Sequence, residues 1–324
     1  MRETPAEEDG FSLLAVLAVL TLLAVVAIGL QKTIAVDVRF TSNIAQRLRA
    51  ETVADGLTRL VVHHLVINPP GDGRSGLLRL NGLPLTCRIG DALASITVIN
   101  TDGQINLNLA PLGLLTRALG GIGLSDSEAL RLAQDIVDFR TLGDQSINGG
   151  SKLANYVQAG LRHGPKGEPF QSVGELEQVI GMTPVLLERL RPLVTVHSLT
   201  GVVNPGLMSR PVAVALAGGN AASTGDPAVL AATLDLPSEF TFVPRRGRGA
   251  IVTASNTVLV RAAVNLGGTA RFTREAVIEL TATTPDGPRI RDWSGLDPDL
   301  YGVAPPDTDD VPACLGGALW LNPG

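Results

Sequence analysis

The sequence predicts an α+β fold in which a long N-terminal helix is followed by two groups of β-strands with a helix-rich stretch between them. Residues 11–68 contain no proline and keep a roughly helical spacing of apolar side chains. Short runs rich in leucine or β-branched residues occur at 76–99 and again near the C-terminus, separated by turn residues. Residues 109–234 hold several helix start signals.

The composition is that of an ordered, loop-rich protein. Of the 324 residues, 45% are hydrophobic and only 3% are aromatic, with 36 glycines and 21 prolines, so Ala, Val, Leu and Ile supply the apolar core. The net charge of -5 is spread over both signs, which argues against a nucleic-acid binder that neutralises phosphates. Cys87 and Cys314 fit no metal-binding spacing, and they form either one long-range disulfide or two buried thiols.

The first part of the predicted helix is a candidate membrane anchor. Residues 11–30 contain no charged side chain, and a helix of that length spans about 30 Å, the thickness of the hydrocarbon layer. Residues 1–10 are polar, and no small-residue cleavage site of a secretory signal follows residue 30. We expect the helix to continue as a rod of some 55 residues, about 80 Å long, until Pro69, Pro70 and Gly71 end it.

Two groups of candidate strands follow the rod. Asn-Gly, proline and Gly-Asp separate the members of the first group, and Gly267 with Gly268 is a hairpin signal in the second. The candidate strands are 76–80, 85–89, 93–99, 240–243, 257–266 and 269–282.

The helix-rich stretch between these groups has explicit start signals. They are Asn108 before Leu109, the capping boxes Ser125 with Glu128 and Ser172 with Glu175, and Thr183 before Pro184. Residues 105–119 are echoed imperfectly by residues 202–216, which indicates two asparagine-led helix entries or a chance likeness. A helical module is thus predicted to interrupt the sheet.

The N-terminus resembles that of type IV prepilins, in which a polar leader ends in glycine before an apolar helix. Gly10 and Phe11 stand at these positions, and the resemblance implies that a prepilin peptidase cleaves between them and methylates the new amino terminus. The acidic leader departs from the more basic leaders usual in that family. An ordinary single-pass anchor followed by a stalk is the alternative.

Ala15 occupies the fifth position of the implied mature chain, where most pilins have a glutamate. That carboxylate is thought to neutralise the amino terminus of the subunit ahead, which offsets the desolvation of a charge in an apolar core. The K-type minor pseudopilins of type II secretion systems characteristically lack the glutamate. The resemblance therefore implies a subunit at the filament tip, with Ala15 as its marker.

Most of the remaining chain also resembles the K-type family, the general secretion pathway protein K. The similar segments are 101–111, 135–139, 169–196 and 202–206. The resemblance implies a pilin-like fold, with the long N-terminal helix packed on an antiparallel sheet and a large all-α domain inserted into it. The implied boundaries are a prepilin leader at 1–10, a transmembrane and stalk helix at 11–68, the first part of a β head at 69–108, the inserted α-helical domain at 109–234, the second part of the head at 235–285 and a C-terminal tail at 286–324.

The resemblance implies a structural role. A K-type subunit is expected at the tip of the pseudopilus, where it initiates and caps assembly for protein export across the outer membrane. The implied partners are other minor pseudopilins of the I and J types, through the N-terminal helix and head, together with the prepilin peptidase and the inner-membrane secretion platform. The implied location is the bacterial inner membrane, crossed once, with the head in the periplasm.

No catalytic pattern accompanies these features. The four histidines match no zinc or general-base spacing, and no nucleophile-elbow, zincin or Walker pattern occurs. We therefore expect no enzyme activity, although a membrane-tethered periplasmic enzyme is a possible third interpretation.

K-type relatives bind calcium in the head, in an aspartate-rich stretch whose counterpart here is depleted of acidic residues. Only Asp138 and Asp144 could contribute carboxylates, and Lys152 stands where acidic residues are often found. Calcium takes six or more oxygen ligands, so carbonyls and water would have to supply most of them. The alternative is that Asp138 ends its helix as a solvated charge.

Residues 174–190 resemble a helix-hairpin-helix, a module that holds DNA phosphate against glycine amides. Only Gly181 of the usual glycines is present, and few basic residues lie nearby, so packing is favoured over DNA contact. A minor pilin of a type IV or DNA-uptake pilus that uses this segment is the alternative function. For the K-type interpretation no nucleic-acid partner is expected.

Overall fold

A computed structural model gives a mixed structure of α-helices and antiparallel β-sheet. It describes residues 9–68, 74–75, 78–219, 227, 230, 233–241, 256–267, 270–280, 287–297, 311 and 313–314, without the side chains of 9–12, 27–42 and 74–75. Most of the predicted leader, the predicted helix terminators Pro69, Pro70 and Gly71, and most of the predicted tail lie outside the described residues.

The N-terminal helix α1 runs over Asp9–Ile67 and has 59 residues. At 1.5 Å per residue its axis is about 90 Å long. The absence of proline allows every backbone amide after the first turn to donate to the carbonyl four residues earlier. The helix covers the segment for which the sequence predicted a rod.

Five strands form one antiparallel sheet in the order β3-β4-β7-β8-β9. The strands are β3 (Leu85–Ile89), β4 (Ala92–Asn100), β7 (Thr257–Leu266), β8 (Ala270–Glu279) and β9 (Arg289–Leu296). Strand β4 pairs with β7 over nine residues, from Ala92 opposite Leu266 to Asn100 opposite Val258. The strands before and after the helical stretch therefore belong to one sheet.

The C-terminal half of α1 packs on one face of this sheet. Its buried side chains recur every three or four residues, which places them on a single stripe of the helix. The strands meet the stripe with every second residue, as a pleated strand must. The helix contributes Ala50, Ala54, Leu57, Val61 and Leu65, and the central strands contribute Ala94, Ile96, Val98, Val258, Val260, Ala262, Val264, Phe272, Ala276 and Ile278.

A buried arginine fixes α1 on the sheet. Arg274 of β8 lies between Phe272 and Ala276 on the covered face, and its Nε donates to Asp55 Oδ1 at 2.6 Å. Its Nη2 donates to Glu51 Oε1 at 2.7 Å, one turn earlier on α1. The guanidinium also lies 4.9 Å from the centroid of the Phe272 ring, within cation–π range. Two carboxylates of the helix thus compensate one buried cation of the sheet.

The helical module between β4 and β7 has its own core. Its helices are α2 (Leu112–Gly121), α3 (Asp126–Arg140), α4 (Lys152–Gln158), α5 (Pro184–Leu190) and α6 (Arg210–Leu216). Short 3-10 helices cover Thr101–Gly103, Val173–Gln178, Arg191–Leu193 and Pro205–Leu207. Phe139 and Phe170 stack at 4.9 Å between ring centroids within the core.

Two small sheets complete the described structure. Strands β1 (Arg74–Ser75) and β2 (Leu78–Arg79) form an antiparallel pair, and β5 (Ile105–Asn106) and β6 (Val194–Thr195) form a parallel pair. The second pair joins the beginning of the helical module to a point some 90 residues later in the chain.

Buried hydrogen bonds join the helical module to the sheet directly beyond β4. The backbone amide of Asn204 donates to the Asp102 carbonyl at 2.8 Å, and the Ser198 hydroxyl donates to Asp102 Oδ1 at 2.9 Å. Gly103 lies so close to the Leu207 carbonyl that a Cβ would be 2.0 Å from its oxygen. Only glycine permits this backbone approach.

The two similar segments of the sequence, 105–119 and 202–216, begin with the same local structure. The side-chain oxygen of Asn106 accepts from the amide of Asn108, and that of Asn204 accepts from the amide of Gly206, so both asparagines form the same turn. Helices α2 and α6 begin at equal distances after these turns and contact each other. At Gly121 a Cβ would be 1.9 Å from the Ala215 carbonyl oxygen, so the contact requires a glycine.

Two helices begin at the capping residues that the sequence predicted. Thr183 caps α5 by accepting from the Leu186 amide at 3.2 Å, and Pro184 is its first residue. The Ser125 amide donates to Glu128 Oε2 at 3.0 Å, as in the predicted capping box. The glycine hairpin between β7 and β8 is also confirmed by the register of the two strands.

Two predicted helix starts differ from the structure, and one predicted strand is described only in part. The helix predicted after Asn108 begins at Leu112, because Pro111 supplies the capping conformation, and the Asn108 side chain instead bonds both polar groups of the Phe170 backbone. Ser172 precedes a 3-10 helix rather than an α-helix. Of the predicted strand at 240–243, Thr241 forms a single bridge with Val203, while 242 and 243 lie outside the described residues.

The sheet also extends into the segment that was predicted to be a tail. Strand β9 pairs with β8, and its register shifts between Val277 and Ile278. Cys314 forms a disulfide with Cys87 of β3, with 4.9 Å between their Cα atoms. The Cys314 amide donates to the Arg88 carbonyl at 2.8 Å. Of the two alternatives for the cysteines, the structure therefore contains the disulfide. The bond holds the chain around Cys314 beside β3, an edge strand of the sheet.

We predict that Arg274→Met destabilises the purified protein by about 1.5 kcal/mol, because two charge-assisted hydrogen bonds between β8 and the partly exposed carboxylates of Glu51 and Asp55 are lost. The free energy of unfolding from denaturant titration measures this loss. Arg49→Met is the matched control, since Arg49 also joins α1 to the sheet region, through Asp91, but both side chains of that pair are 63% exposed. The control should change stability by less than about 0.5 kcal/mol. Equal effects of the two substitutions would contradict the role of Arg274.

Candidate functional site

The N-terminal part of α1 exposes a continuous apolar surface. All fourteen side chains from residue 13 to residue 26 are exposed. Thr21 is the only polar residue among them, and its hydroxyl donates to the Ala18 carbonyl at 2.8 Å within the same helix. The large members, each 51–72% exposed, are Leu13, Leu14, Val16, Leu17, Val19, Leu20, Leu22, Leu23, Val25 and Val26. Apolar side chains that surround a helix on every side require a cover from outside the chain.

The predicted processing site and tip marker lie at the beginning of α1. The backbone of Gly10 and Phe11 belongs to the helix, while their side chains lie outside the described residues. Ala15 is exposed within the apolar surface. Within the described part of the chain, no helix is both long enough and apolar enough to cross a membrane.

Asp138 lies in the last turn of α3 and Asp144 in the loop between α3 and α4, but their oxygens already accept hydrogen bonds from the protein. Asp138 is buried at the end of α3, where Oδ2 accepts from the Ser146 hydroxyl at 2.5 Å and Oδ1 accepts from the Ile147 amide at 3.1 Å. Asp144 Oδ1 accepts from the Leu153 amide at 2.8 Å. Asp138 is thus not a solvated helix end, and its carboxylate holds the loop.

The electrostatics of Asp144 agree with this structural role. Hydrogen bonds from the Ser151 side chain and the Leu153 amide, with a smaller contribution from the Lys152 charge, lower the pKa of the Asp144 carboxyl. No group of three or more potential metal-binding side chains occurs in the part of the chain that the structure describes. Since Asp138 and Asp144 bond to the loop itself, they do not fit a calcium site, which needs six to eight oxygens directed at one point.

Two cations at the C-terminal end of α3 make contacts that sequence reasoning did not identify. Lys152 is buried, and its Nζ donates to the carbonyls of Asp138 and Thr141. Arg140 donates to the carbonyls of Leu107 and, at 2.7 Å, Ala110. Burial lowers the pKa of the Arg140 guanidinium. One signal was present in the sequence, namely Lys152 within a stretch where the resemblance leads one to expect acidic residues.

The segment that resembles a helix-hairpin-helix is part of the module's core. Leu176, Val179, Leu187 and Leu190 are buried in it. The basic residues bond to the protein: Arg189 donates to the Ile122 carbonyl at 3.2 Å, and Arg191 pairs with Glu188 at 3.6 Å. Gly181 has a positive φ of 79°, which suits the tight connection before α5. These contacts favour the packing interpretation of the segment over DNA binding.

Asp135 is a second carboxyl on α3 with an unusual environment. It lines an open groove between α3 and α4 together with Arg131, Asn148 and Asn155. Burial, followed by repulsion from Asp138, raises the pKa of the Asp135 carboxyl to about 6. The lining residues of the groove include no histidine, and Ser127 is their one hydroxyl-bearing side chain. The raised pKa is therefore interpreted as an electrostatic cost of folding rather than as the mark of an acid–base catalyst.

Residues 91–198 match the family model described as type II secretion system (T2SS), protein K. This segment is a protein K domain. It extends from β4 through the polar junction and α2 to α5, and ends just after β6. The loop of Lys152 and the contact of Asp102 with Ser198 therefore both lie within the matched protein K segment, whereas Asn204, the other partner of Asp102, lies beyond it.

A solved structure has the same overall fold. A chain in the crystal structure of the GspK-GspI-GspJ complex from the type 2 secretion system of enterotoxigenic Escherichia coli matches with a TM-score of 0.51 and 14% sequence identity. The match covers 80% of this chain and 99% of that chain. No curated protein matches the sequence.

These matches confirm the family predicted from the sequence, the K-type minor pseudopilins. Protein K is a structural component of the secretion system, so the prediction that the chain is not an enzyme is confirmed by its family. The mixed architecture of helices and antiparallel sheet is likewise shared with the solved protein.

We predict that Asp135→Asn raises stability at pH 7.5 by about 1 kcal/mol, a figure reduced for the partial exposure of the side chain. The folded protein binds the Asp135 proton more tightly than the unfolded chain does, because its pKa is raised from 3.8 to about 6. The favourable contribution of this carboxyl to the free energy of unfolding is thus fully present below pH 4 and is lost as the pH rises through 6. Thermal unfolding followed by circular dichroism between pH 4 and 7.5 should show a higher unfolding midpoint for Asp135→Asn than for the wild type, and only above pH 5.

Glu177→Gln is the control for this experiment, because Glu177 is an exposed carboxylate of the same module. The unfolding midpoint of Glu177→Gln should differ from that of the wild type by the same amount at every pH. An Asp135→Asn protein that is no more stable than the wild type at pH 7.5 would refute the assignment of an electrostatic cost to Asp135.

Proposed function

We propose that this protein K is the tip subunit of a type II secretion pseudopilus, where it initiates and caps assembly for protein export across the outer membrane. The exposed apolar surface of residues 13–26 is the observation on which the proposal depends. A soluble head needs no such surface, whereas a subunit that is first stored in a bilayer and then packed against neighbouring helices needs it in both states.

The proposed architecture is that of a pilin with an inserted domain. In this proposal α1 is the shared helix, the five-stranded sheet is the pilin head, and the module from α2 to α6 is the insertion. The module adds a second hydrophobic core beside the head. A head enlarged in this way would overlap a following subunit in the filament, which supports a position where no subunit follows.

Ala15 supports the same position by its chemistry. A glutamate in the apolar core of a filament is compensated only when a neighbouring amino terminus lies beside it, because an unpaired buried charge costs several kcal/mol. A tip subunit has no neighbour ahead of it to compensate. The alanine, exposed on α1, avoids that cost.

The proposed life cycle begins in the inner membrane, with residues 11–30 as a single-pass anchor and the head in the periplasm. Two features support this location. Residues 11–30 contain no charge. The disulfide between Cys87 and Cys314 suits an oxidising compartment such as the periplasm. Prepilin peptidase would then cleave between Gly10 and Phe11 and methylate Phe11, and the inner-membrane platform would lift the subunit into the filament.

The proposed partners are the I-type and J-type minor pseudopilins. The solved chain of similar fold belongs to a complex named for GspK, GspI and GspJ. In our proposal the partners' helices cover the apolar surface of residues 13–26, and their heads contact the sheet region from which α1 emerges. No described feature favours the DNA-uptake alternative over this role.

We predict that deletion of the gene abolishes pseudopilus assembly and secretion, and that Ala15→Glu fails to restore them fully. An unpaired carboxylate in the apolar helix costs about 2–3 kcal/mol, which corresponds to a loss of roughly thirtyfold or more in the assembled population. Counting pseudopili and measuring exported protein in complemented cells would test this. Ala15→Val, which keeps the position apolar, should restore both, and normal assembly in the deletion strain would refute the tip role.

We predict that mass spectrometry of the mature protein finds an N-terminal methylated Phe11. Gly10→Val should block cleavage, so that the full precursor accumulates, because the peptidase accommodates a glycine before the scissile bond in this family. Gly56→Ala is the control within the same helix, since a Cβ at that position meets no atom within 4 Å. Recovery of an intact Met1 from wild-type cells would disprove prepilin-type processing.

A further inference from the structure

The loop between α3 and α4 is organised around a positive charge that belongs to the protein itself. Lys152 is the first residue of α4, and its side chain is only 2% exposed. Its Nζ lies 2.9 Å from the Asp138 carbonyl oxygen and 2.7 Å from the Thr141 carbonyl oxygen. Both carbonyls belong to the last turn of α3 and its cap, where the regular series of helical amide donors ends, and the Asp138 carbonyl also accepts from the Thr141 amide at 3.4 Å.

This end of α3 attracts a cation for two reasons. The carbonyls at the C-terminus of a helix carry the negative end of its macrodipole. The Asp138 carboxylate adds a full negative charge in the same buried region, since Asp138 is only 6% exposed. A buried site with these charges is stable only when a cation compensates them.

The loop closes on the ammonium group through several further bonds. The Lys152 amide donates to the Asp144 carbonyl at 2.6 Å, and Gln145 forms a bridge with Ser151. The Ser146 amide donates to the Gly150 carbonyl at 3.0 Å. Both ends of the segment from residue 141 to residue 151 are therefore fixed beside the lysine, which anchors the loop and begins the next helix.

We propose that the ammonium group of Lys152 takes the place of a bound metal ion in this loop. It orders the loop as such an ion would, so that residues 138–153 fold without calcium. The ammonium donates to oxygens that would otherwise be ligands. Asp138 and Asp144 accept from Ser146, Ile147 and Leu153 instead of pointing at a shared centre. This inference is independent of the position of the subunit in the pseudopilus.

The test is hydrogen–deuterium exchange of the purified full-length protein in detergent, with 5 mM calcium chloride or with EDTA. Exchange in peptides from 138–153 of the wild type should be the same in both buffers. In Lys152→Met, which keeps the length of the side chain and removes the charge, these peptides should exchange about tenfold faster or more, because two buried carbonyls lose a charged donor. Peptides from β4 and β7 should be unchanged.

Lys166→Met is the matched control. Lys166 is a lysine of the same module that pairs with Glu175 and donates to the Pro169 carbonyl, so its substitution removes an ammonium without affecting α3. It should leave exchange in 138–153 at the wild-type rate. Calcium-dependent protection of 138–153 in the wild type would overturn the proposal, and so would unchanged exchange of this loop in Lys152→Met. If Lys152→Met does not fold, the comparison of calcium with EDTA in the wild type decides the question.

Discussion

The attachment of the C-terminal half of α1 to the sheet is the constraint on which the rest of the molecule depends. The apolar stripe from Ala50 to Leu65 supplies most of the favourable free energy, but hydrophobic burial has no direction and would tolerate sliding of the helix. The bonds of Arg274 to Glu51 and Asp55 oppose sliding, because a shift of α1 by one turn would place Arg47 or Arg59 where one of the two carboxylates now lies. The exposed part of α1 is therefore held at a fixed height and rotation relative to the head.

The helical module is attached with similar rigidity. The chain passes from β4 directly into a 3-10 helix, and Asp102 receives bonds from Ser198 and Asn204 after a long excursion of the chain. Gly103 permits backbone contact with Leu207, whose side chain lies in the core between sheet and α1. Polar bonds in a buried junction are directional and costly to break singly. The module thus behaves as part of the head rather than as a domain on a flexible linker.

The C-terminal end of α3 illustrates how a buried helix end is compensated by a charge of the same chain. A helix end with nearby carboxylates needs positive charge, but the charge need not come from an ion. The side chain of Lys152 supplies this positive charge, and Asp138 and Asp144 then serve as hydrogen-bond acceptors for the loop.

The sequence by itself determined the local elements: the extent of α1, the β7–β8 hairpin, and the starts of α3 and α5 at Ser125 and Thr183. These depend on periodicity, caps and turns within a few residues of each other. The tertiary structure alone decided the pairing of β4 with β7, the choice of a disulfide, and the partners of Arg274 and Lys152. Each of these joins groups that a local pattern does not relate, because the benefit of burying a charge or pairing a strand exists only after distant parts of the chain have come together.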